Sequence, residues 1–308
     1  MTGCFANDYK IHGAVLNNDV SAVEEFLKNG TDINIPDKGG RTALHLAASY
    51  NSPVIQKILS GPVVDINIPD AVLKWTPLRY ADRTKSWMAM DILLQNGANP
   101  DDIVLTRCNS EAQDFEKEAL WECASDGYRS LLEFMLNCGT DVNAVPEVPA
   151  NLQEKSTLLH IASLNCHVAV IRLLVERMAD INIRNANNST ALHLAAFSGC
   201  EEIINILLDN GMSVDLTNAD NYTPLHISAT RGNLEATKAS VERGAAVDRS
   251  DKNGDTPLLL AARYGKLEVF RYVTEEGADI NIRDVHTNNV LHNAAISGSV
   301  EIIKIFTR

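Results

Sequence analysis

The chain has 308 residues, 45% of them hydrophobic, and sets 27 Lys and Arg against 40 Asp and Glu for a net charge of −13. An acidic chain without a dense basic run lacks the clustered positive charge that general nucleic-acid or anionic-membrane binding needs, no apolar run approaches the ~20 residues of a membrane helix, and the N-terminus does not read as a signal peptide. The cysteines (Cys4, Cys108, Cys123, Cys138, Cys166, Cys200) are scattered, with no CxxC and no paired spacing, which reads as reduced thiols of a cytoplasmic protein.

In chain order, a first predicted unit over 7–36 sets a helix around Ile11 and a second closed by Gly30; it lacks a Thr-Pro start and reads as an N-terminal cap. The second, 37–69, follows a polar turn "DKGGR" with "TALHLAA" and closes on Asp65-Ile66-Asn67. The third, 70–100, carries "TPLRYADRTKS", with Arg79 and Asp82 in place of His and Ala. The fourth, 101–143, is degenerate: "EALWECASDG" puts Glu118 at the threonine position and Trp121 at the histidine position. The fifth, 144–184, begins with the proline-bearing "AVPEVPANLQEK". Units 185–217, 218–250 and 251–283 are regular, with "TALHLAA", "TPLHISA" and "TPLLLAA". The ninth, 284–308, is truncated in its second helix; the apolar Ile302, Ile303, Ile305 and Phe306 are unlike a polar terminal cap, so the native chain is expected to continue there or to be covered.

The anchor residues Ile11, Leu44, Leu78, Leu120, Leu159, Leu192, Leu225, Leu258 and Leu291 are separated by 33, 34, 42, 39, 33, 33, 33 and 33 residues. Only a structural unit repeated along the chain explains that period. Thr42, Thr76, Thr157, Thr190, Thr223 and Thr256 stand two residues ahead as helix caps, with Pro77, Pro224 and Pro257 in the first turn. Gly127, Gly199, Gly232, Gly265 and Gly298 then end the first helix in a left-handed conformation. A second helix with apolar i, i+3, i+4 spacing follows, as in Ile203, Ile204, Leu207 and Leu208. The long steps imply insertions within 100–117 and 144–155, on an edge where inserted loops often bind.

With this signature and period the chain resembles the ankyrin repeat family over nearly its whole length. The resemblance implies an all-α solenoid of stacked helix-turn-helix units with β-turn fingers, forming a single domain of about nine units. It further implies a non-catalytic protein–protein interaction scaffold that binds a protein partner on the concave face. Carried onto this sequence, the finger positions are Arg41, Trp75, Tyr222 and Asp255, and the first-helix ends are Tyr50, Arg83, Phe197, Arg231, Arg263 and Tyr264. Tyr, Trp and Arg are the types enriched at binding hot spots, and the arginines suit an acidic partner segment. Asn67 and Asn182, in "LSGPVVDIN" and "LVERMADIN", resemble asparagines hydroxylated by a 2-oxoglutarate oxygenase; a turn-stabilising role is the stronger reading.

The histidines of the column His12, His45, His160, His193, His226 and His292 recur one per unit. Layers about 8–10 Å apart cannot share an ion bound at about 2.0–2.1 Å, so we read them as scaffold. Cys166 and His167 are a weak pair of ligands at most. No P-loop, HExxH, GxSxG or GxGxxG motif occurs, and no enzyme activity, cofactor or metal is expected. A monomer without nucleic-acid partners or membrane insertion is the first reading. The rivals are a repeat segment of a larger channel, toxin, kinase or ubiquitin-ligase adaptor, whose activity lies outside this chain, and an enzyme hidden in units three to five.

Overall fold

The computed structural model of the chain describes residues 10–61, 64–103, 113–146 and 155–306. The helices come in pairs: α1 (Lys10–Leu16) and α2 (Val20–Lys28), α3 (Ala43–Ser49) and α4 (Val54–Leu59), α5 (Pro77–Arg83) and α6 (Trp87–Gln95), α7 (Gln113–Asp126) and α8 (Arg129–Asn137). They continue as α9 (Leu158–Leu164) and α10 (Val168–Glu176), α11 (Ala191–Ser198) and α12 (Glu201–Asp209), α13 (Pro224–Arg231) and α14 (Leu234–Glu242), α15 (Pro257–Arg263) and α16 (Leu267–Glu275), α17 (Val290–Ser297) and α18 (Val300–Phe306). Two compact units divide them, one of Met1–Cys123 with Tyr128–Asp141, the other of Ala124–Gly127 with Val142–Arg308.

The caps form as the residue types dictate. Thr42, Thr76, Thr157, Thr190, Thr223 and Thr256 are all N-caps in extended conformation, and Pro77, Pro224 and Pro257 occupy the first helical turn. The degenerate unit behaves differently. With neither Thr nor Pro at that point, nothing stops the helix upstream, and α7 runs for 14 residues through Glu118. In α12 the buried face is Ile203, Ile204, Ile206 and Leu207, with Leu208 of the apolar spacing half-buried. Burying each such side chain contributes about 1.5–3 kcal/mol. In the second unit Leu258, Phe270, Val290 and Ile302 share one such core.

Stacking is specified by the histidine column. In α3, α9, α11 and α13, Nδ1 accepts the backbone N–H of the Thr cap at 3.1–3.3 Å. With Nδ1 an acceptor, the proton sits on Nε2, which donates to the carbonyl of the next unit: His45 to Trp75 O at 3.0 Å, His160 to Ser189 O at 3.1 Å, His193 to Tyr222 O at 3.0 Å, His226 to Asp255 O at 3.2 Å. His12 makes the same reach to Arg41 O at 3.2 Å. His45, His160, His193 and His226 therefore each close their own helix start and tie the following finger to it.

Two further ladders run beside it. Asn34, Asn67, Asn143 and Asp248 accept the N–H of Asp65, Asn99, Asp180 and Asp279, one unit on, at 2.8–3.0 Å. At the finger bases, carboxylates or amides such as Asp70, Asn185 and Asp251 gather the turn N–H groups. Neighbouring fingers join through Ala71 N–H to Gly40 O and Val285 N–H to Asn253 O. Gly40 has φ +79°, and a Cβ there would sit 2.4 Å from that of Ala71, so only glycine allows the approach.

The reduced-thiol expectation is corrected: Cys166 and Cys200 form a disulfide with a Cα–Cα distance of 5.6 Å, and Cys138 is disulfide-bonded as well. Cys123 is buried. The spacing of 34 residues is one repeat plus one, which brings the residue closing α9 beside the residue opening α12.

Burial makes the histidine ladder acid-sensitive. Desolvation, only partly offset by the carbonyl bonds, lowers His193 and His226 from 6.5 to about 4. The unfolded chain then binds more protons between pH 6.5 and 4, so the contribution is complete above pH 6.5 and lost as pH falls towards 4. Each histidine accounts for about 3 kcal/mol of that loss. Thermal unfolding across this range is expected to show falling stability with acid and a shallower slope in His193→Gln; an equal slope in the variant contradicts the assignment.

Candidate protein-interaction surface

Histidines and apolar residues of the first helices turn into the stack, and the helix ends are left to solvent. In the second compact unit, Phe197 lies at the end of α11 and is 40% exposed. The Arg231 guanidinium, at the end of α13, covers its ring with Cζ 3.9 Å from the centroid. Tyr264, 52% exposed, ends α15. Phe197, Arg231 and Tyr264 line an open cavity of about 720 Å³ with Asn165, Cys166 and Lys266. A second cavity of about 430 Å³ shares Phe197 and Arg231 and reaches the fingers at Tyr222, Asn187 and Asp220. The first therefore offers two aromatic faces beside a guanidinium and an ammonium, and no carboxylate lines it. That combination has the chemistry to accommodate an apolar side chain next to a negative charge.

Tyr222 serves both the stack and the cavity. Its carbonyl receives His193, and its ring stacks on His226 with centroids 5.6 Å apart. Burial, with Asp251 nearby, raises its phenol to about 12, so it stays neutral.

In the first compact unit the expected positions are held as follows. Arg41 is held by Asp37 at 2.8 Å, and Tyr50 and Arg83 are exposed. Trp75 is half-buried, packing edge-on against Tyr80 with Arg79 over its ring at 5.4 Å. Asn67 is exposed and its amide oxygen accepts the Asn99 N–H; Asn182 is exposed with its N–H on Asp180. Cys166 is in its disulfide, and His167 Nε2 meets Ser125 O at 2.6 Å, so neither stands as a ligand. Among the described residues no group of His, Cys, Asp or Glu is placed to hold a metal ion, and no helix is long and apolar enough to cross a membrane. The insertions at 100–117 and 144–155 fall largely outside the described residues.

A family model of ankyrin repeats in three copies matches residues 11–104, 120–218 and 211–284. The chain belongs to the ankyrin-repeat family. It is similar to neurogenic locus notch homolog protein 1 of Xenopus tropicalis, 31% identical over 54% of this chain and 6% of that protein. It is also similar to human transient receptor potential cation channel subfamily A member 1, 26% identical over 56% of this chain and 15% of the channel. A third relative is an L-asparaginase of Dirofilaria immitis, 29% identical over 54% of this chain and 26% of the enzyme. The chain thus spans a quarter or less of the length of most of these relatives.

Two residues of the expected contact set belong to the ankyrin stack instead. In the eighth unit the histidine is Leu259, and Arg263 takes over the bridging. It pairs with Asp255 at 2.5 and 2.7 Å, Asp284 at 3.0 Å and Asn293 at 2.7 Å. Asp255 and Asp284 are each 1% exposed at the side chain, so Asp255 has no face for a partner. Burial raises the Asp255 carboxyl despite Arg263, whereas for Asp284 the bonds from Asn288 and His286 outweigh burial and lower it. Sequence reasoning had missed Lys266, Asn165 and Thr230; Lys266 follows the glycine that ends a first helix, and one helix end predicts its neighbour.

The two arginines are expected to separate cleanly. Arg263→Met leaves two buried carboxylates facing each other and costs about 3–5 kcal/mol in a chemical unfolding curve. Arg231→Ala, on an exposed side chain, changes stability by less than about 1 kcal/mol. The reverse order contradicts the division drawn here.

Proposed function

We propose that the chain is a non-catalytic, monomeric protein-interaction scaffold whose groove over Phe197, Tyr222, Arg231 and Tyr264 takes an acidic, extended segment of a protein partner. The observation that carries this is the Arg231 guanidinium stacked on Phe197 where the two cavities meet. In a chain with net charge −13, a pocket carrying Arg231 and Lys266 and no carboxylate selects negative charge locally. The aromatic faces supply buried area and the cations supply orientation. Trp75, Tyr50, Arg41 and Arg83 extend the proposed contacts on the first compact unit. Asn67 and Asn182 stand exposed at turns as candidates for oxygenase hydroxylation, which a gain of one oxygen atom in their tryptic peptides reports.

A second reading is favoured by the comparisons. In the notch homologue and the channel, the matched stretch is 6% and 15% of the protein. On this reading the repeats are one segment of a larger chain, and the activity lies in the remainder.

Fluorescence-anisotropy titrations with extended peptides matched in length and apolar content, but acidic or basic, test the groove. The acidic set is expected to bind more tightly. Phe197→Ala and Arg231→Ala should each weaken it about tenfold. Arg172→Ala, in an exposed pair with Glu202 on α10, should leave it unchanged. No charge preference, or equal affinity in all variants, removes the groove as the site.

A further inference from the structure

One inter-unit contact recurs beside the groove. Each first helix ends in a left-handed residue, and the residue after it opens the second helix. In several steps the left-handed residue of one unit meets the following residue of the next. Ser52 donates to Asn18 at 2.8 Å. A Cβ on Gly127 would meet the His167 ring, one on Gly199 would meet Asn233 and one on Gly232 would meet Lys266. At Cys166, with φ +59°, and Cys200, the same contact is a covalent bond. Cys166 is exposed and lines the larger cavity, while Cys200 is 6% exposed. Ser198 Oγ donates to Ser163 O, and Asn233 Nδ2 donates to Phe197 O, so the bond lies in the frame that holds Phe197 in place.

We propose that Cys166 and Cys200 are a thiol–disulfide switch that couples the redox state of the surroundings to the register of the fifth and sixth units and to the groove they border. A dithiol reductant supplies the chemistry. Its thiolate attacks Sγ of Cys166, the S–S bond breaks, and Cys200 leaves as a thiolate that takes up a proton. The second reductant thiol then displaces Cys166, which is protonated in turn as the reductant closes its own disulfide. Two electrons and two protons pass to the protein pair. Glutathione disulfide reverses the change, two protein thiols yielding one disulfide and two molecules of glutathione. Closing a loop across one repeat confines the unfolded chain, and its loss falls on the step between α9–α10 and α11–α12. The effect on the groove rests on the interaction reading above; the effect on the step does not.

The full chain, equilibrated with glutathione disulfide and then with dithiothreitol, is compared with Cys166→Ser/Cys200→Ser carried through the same treatments. The paired variant removes the contribution of the disulfide at Cys138. Alkylation and peptide mapping are expected to label Cys166 and Cys200 only after dithiothreitol. Reduction should lower the wild-type melting temperature by about 5–10 °C more than that of the variant. Amide exchange in 157–176 and 190–209 should speed up in the reduced wild type and in the variant alike. Labelling of both cysteines after glutathione disulfide, or equal melting shifts in the two proteins, overturns the switch. If these readouts hold and acidic-peptide affinity is the same in both redox states, coupling to the groove is overturned and the interaction reading stands on its own test.

Discussion

The structure depends on one reach: a side chain from the start of a first helix to a backbone carbonyl one unit further on. The helices are mostly six to nine residues long, short of the ~12–15 that hold in isolation. Each pair is stable only against its neighbours, so the step between units must be specified as well as buried. The histidine does both. Its Nδ1 closes the Thr cap, which fixes the tautomer, and the fixed tautomer leaves Nε2–H with a single direction to donate. In two units without the histidine, a link to the next unit is made in other chemistry. Arg79 donates to Asp102 O at 2.6 Å, and beside Leu259 the Arg263 cluster joins Asp255, Asp284 and Asn293.

This requirement also decides where a binding surface can lie. Positions turned into the stack are committed to it, including the carboxylate of Asp255 despite its place in a finger. Helix ends carry that duty at Arg263 but not at Phe197, Arg231 and Tyr264, which reach solvent. Tyr222 shows how tightly the two roles adjoin, because its carbonyl belongs to the histidine ladder while its ring lines a cavity. A rigid stack behind exposed aromatic and cationic groups limits the entropy lost on binding, which favours recognition by a preformed face.

The fold was legible because its signal is redundant. Thr caps, prolines, left-handed glycines and the period of 33 all mark the same boundaries, and losing one of them at a given unit does no harm. Where the Thr cap, the proline and the period fail together, as around Glu118, only Gly127 still marks a boundary, and α7 extends upstream. The site was less legible because exposure depends on partners in the next unit. Arg231 and Arg263 both stand at the end of a first helix, but only the second has acquired Asp255 and Asp284 as partners, in compensation for Leu259. Phe197 and Tyr264 could be placed at the surface because nothing in the repeat calls for a large side chain there.

The cysteines show the same limit in another form. Read along the chain, Cys166 and Cys200 have no paired spacing; read on the repeat, 34 residues is one step plus one. The contact column they share is filled elsewhere by a hydroxyl on an amide, an imidazole over a glycine or a lysine stem, interactions that persist in any redox environment. A hydrogen bond in such a column contributes about 1 kcal/mol and is exchanged with water at little cost. A disulfide makes the contact stronger and also conditional, since its stability depends on the thiol poise outside the protein. The conditional step borders the cavity that carries Phe197 and Arg231, where a change of register between two units reaches the exposed surface.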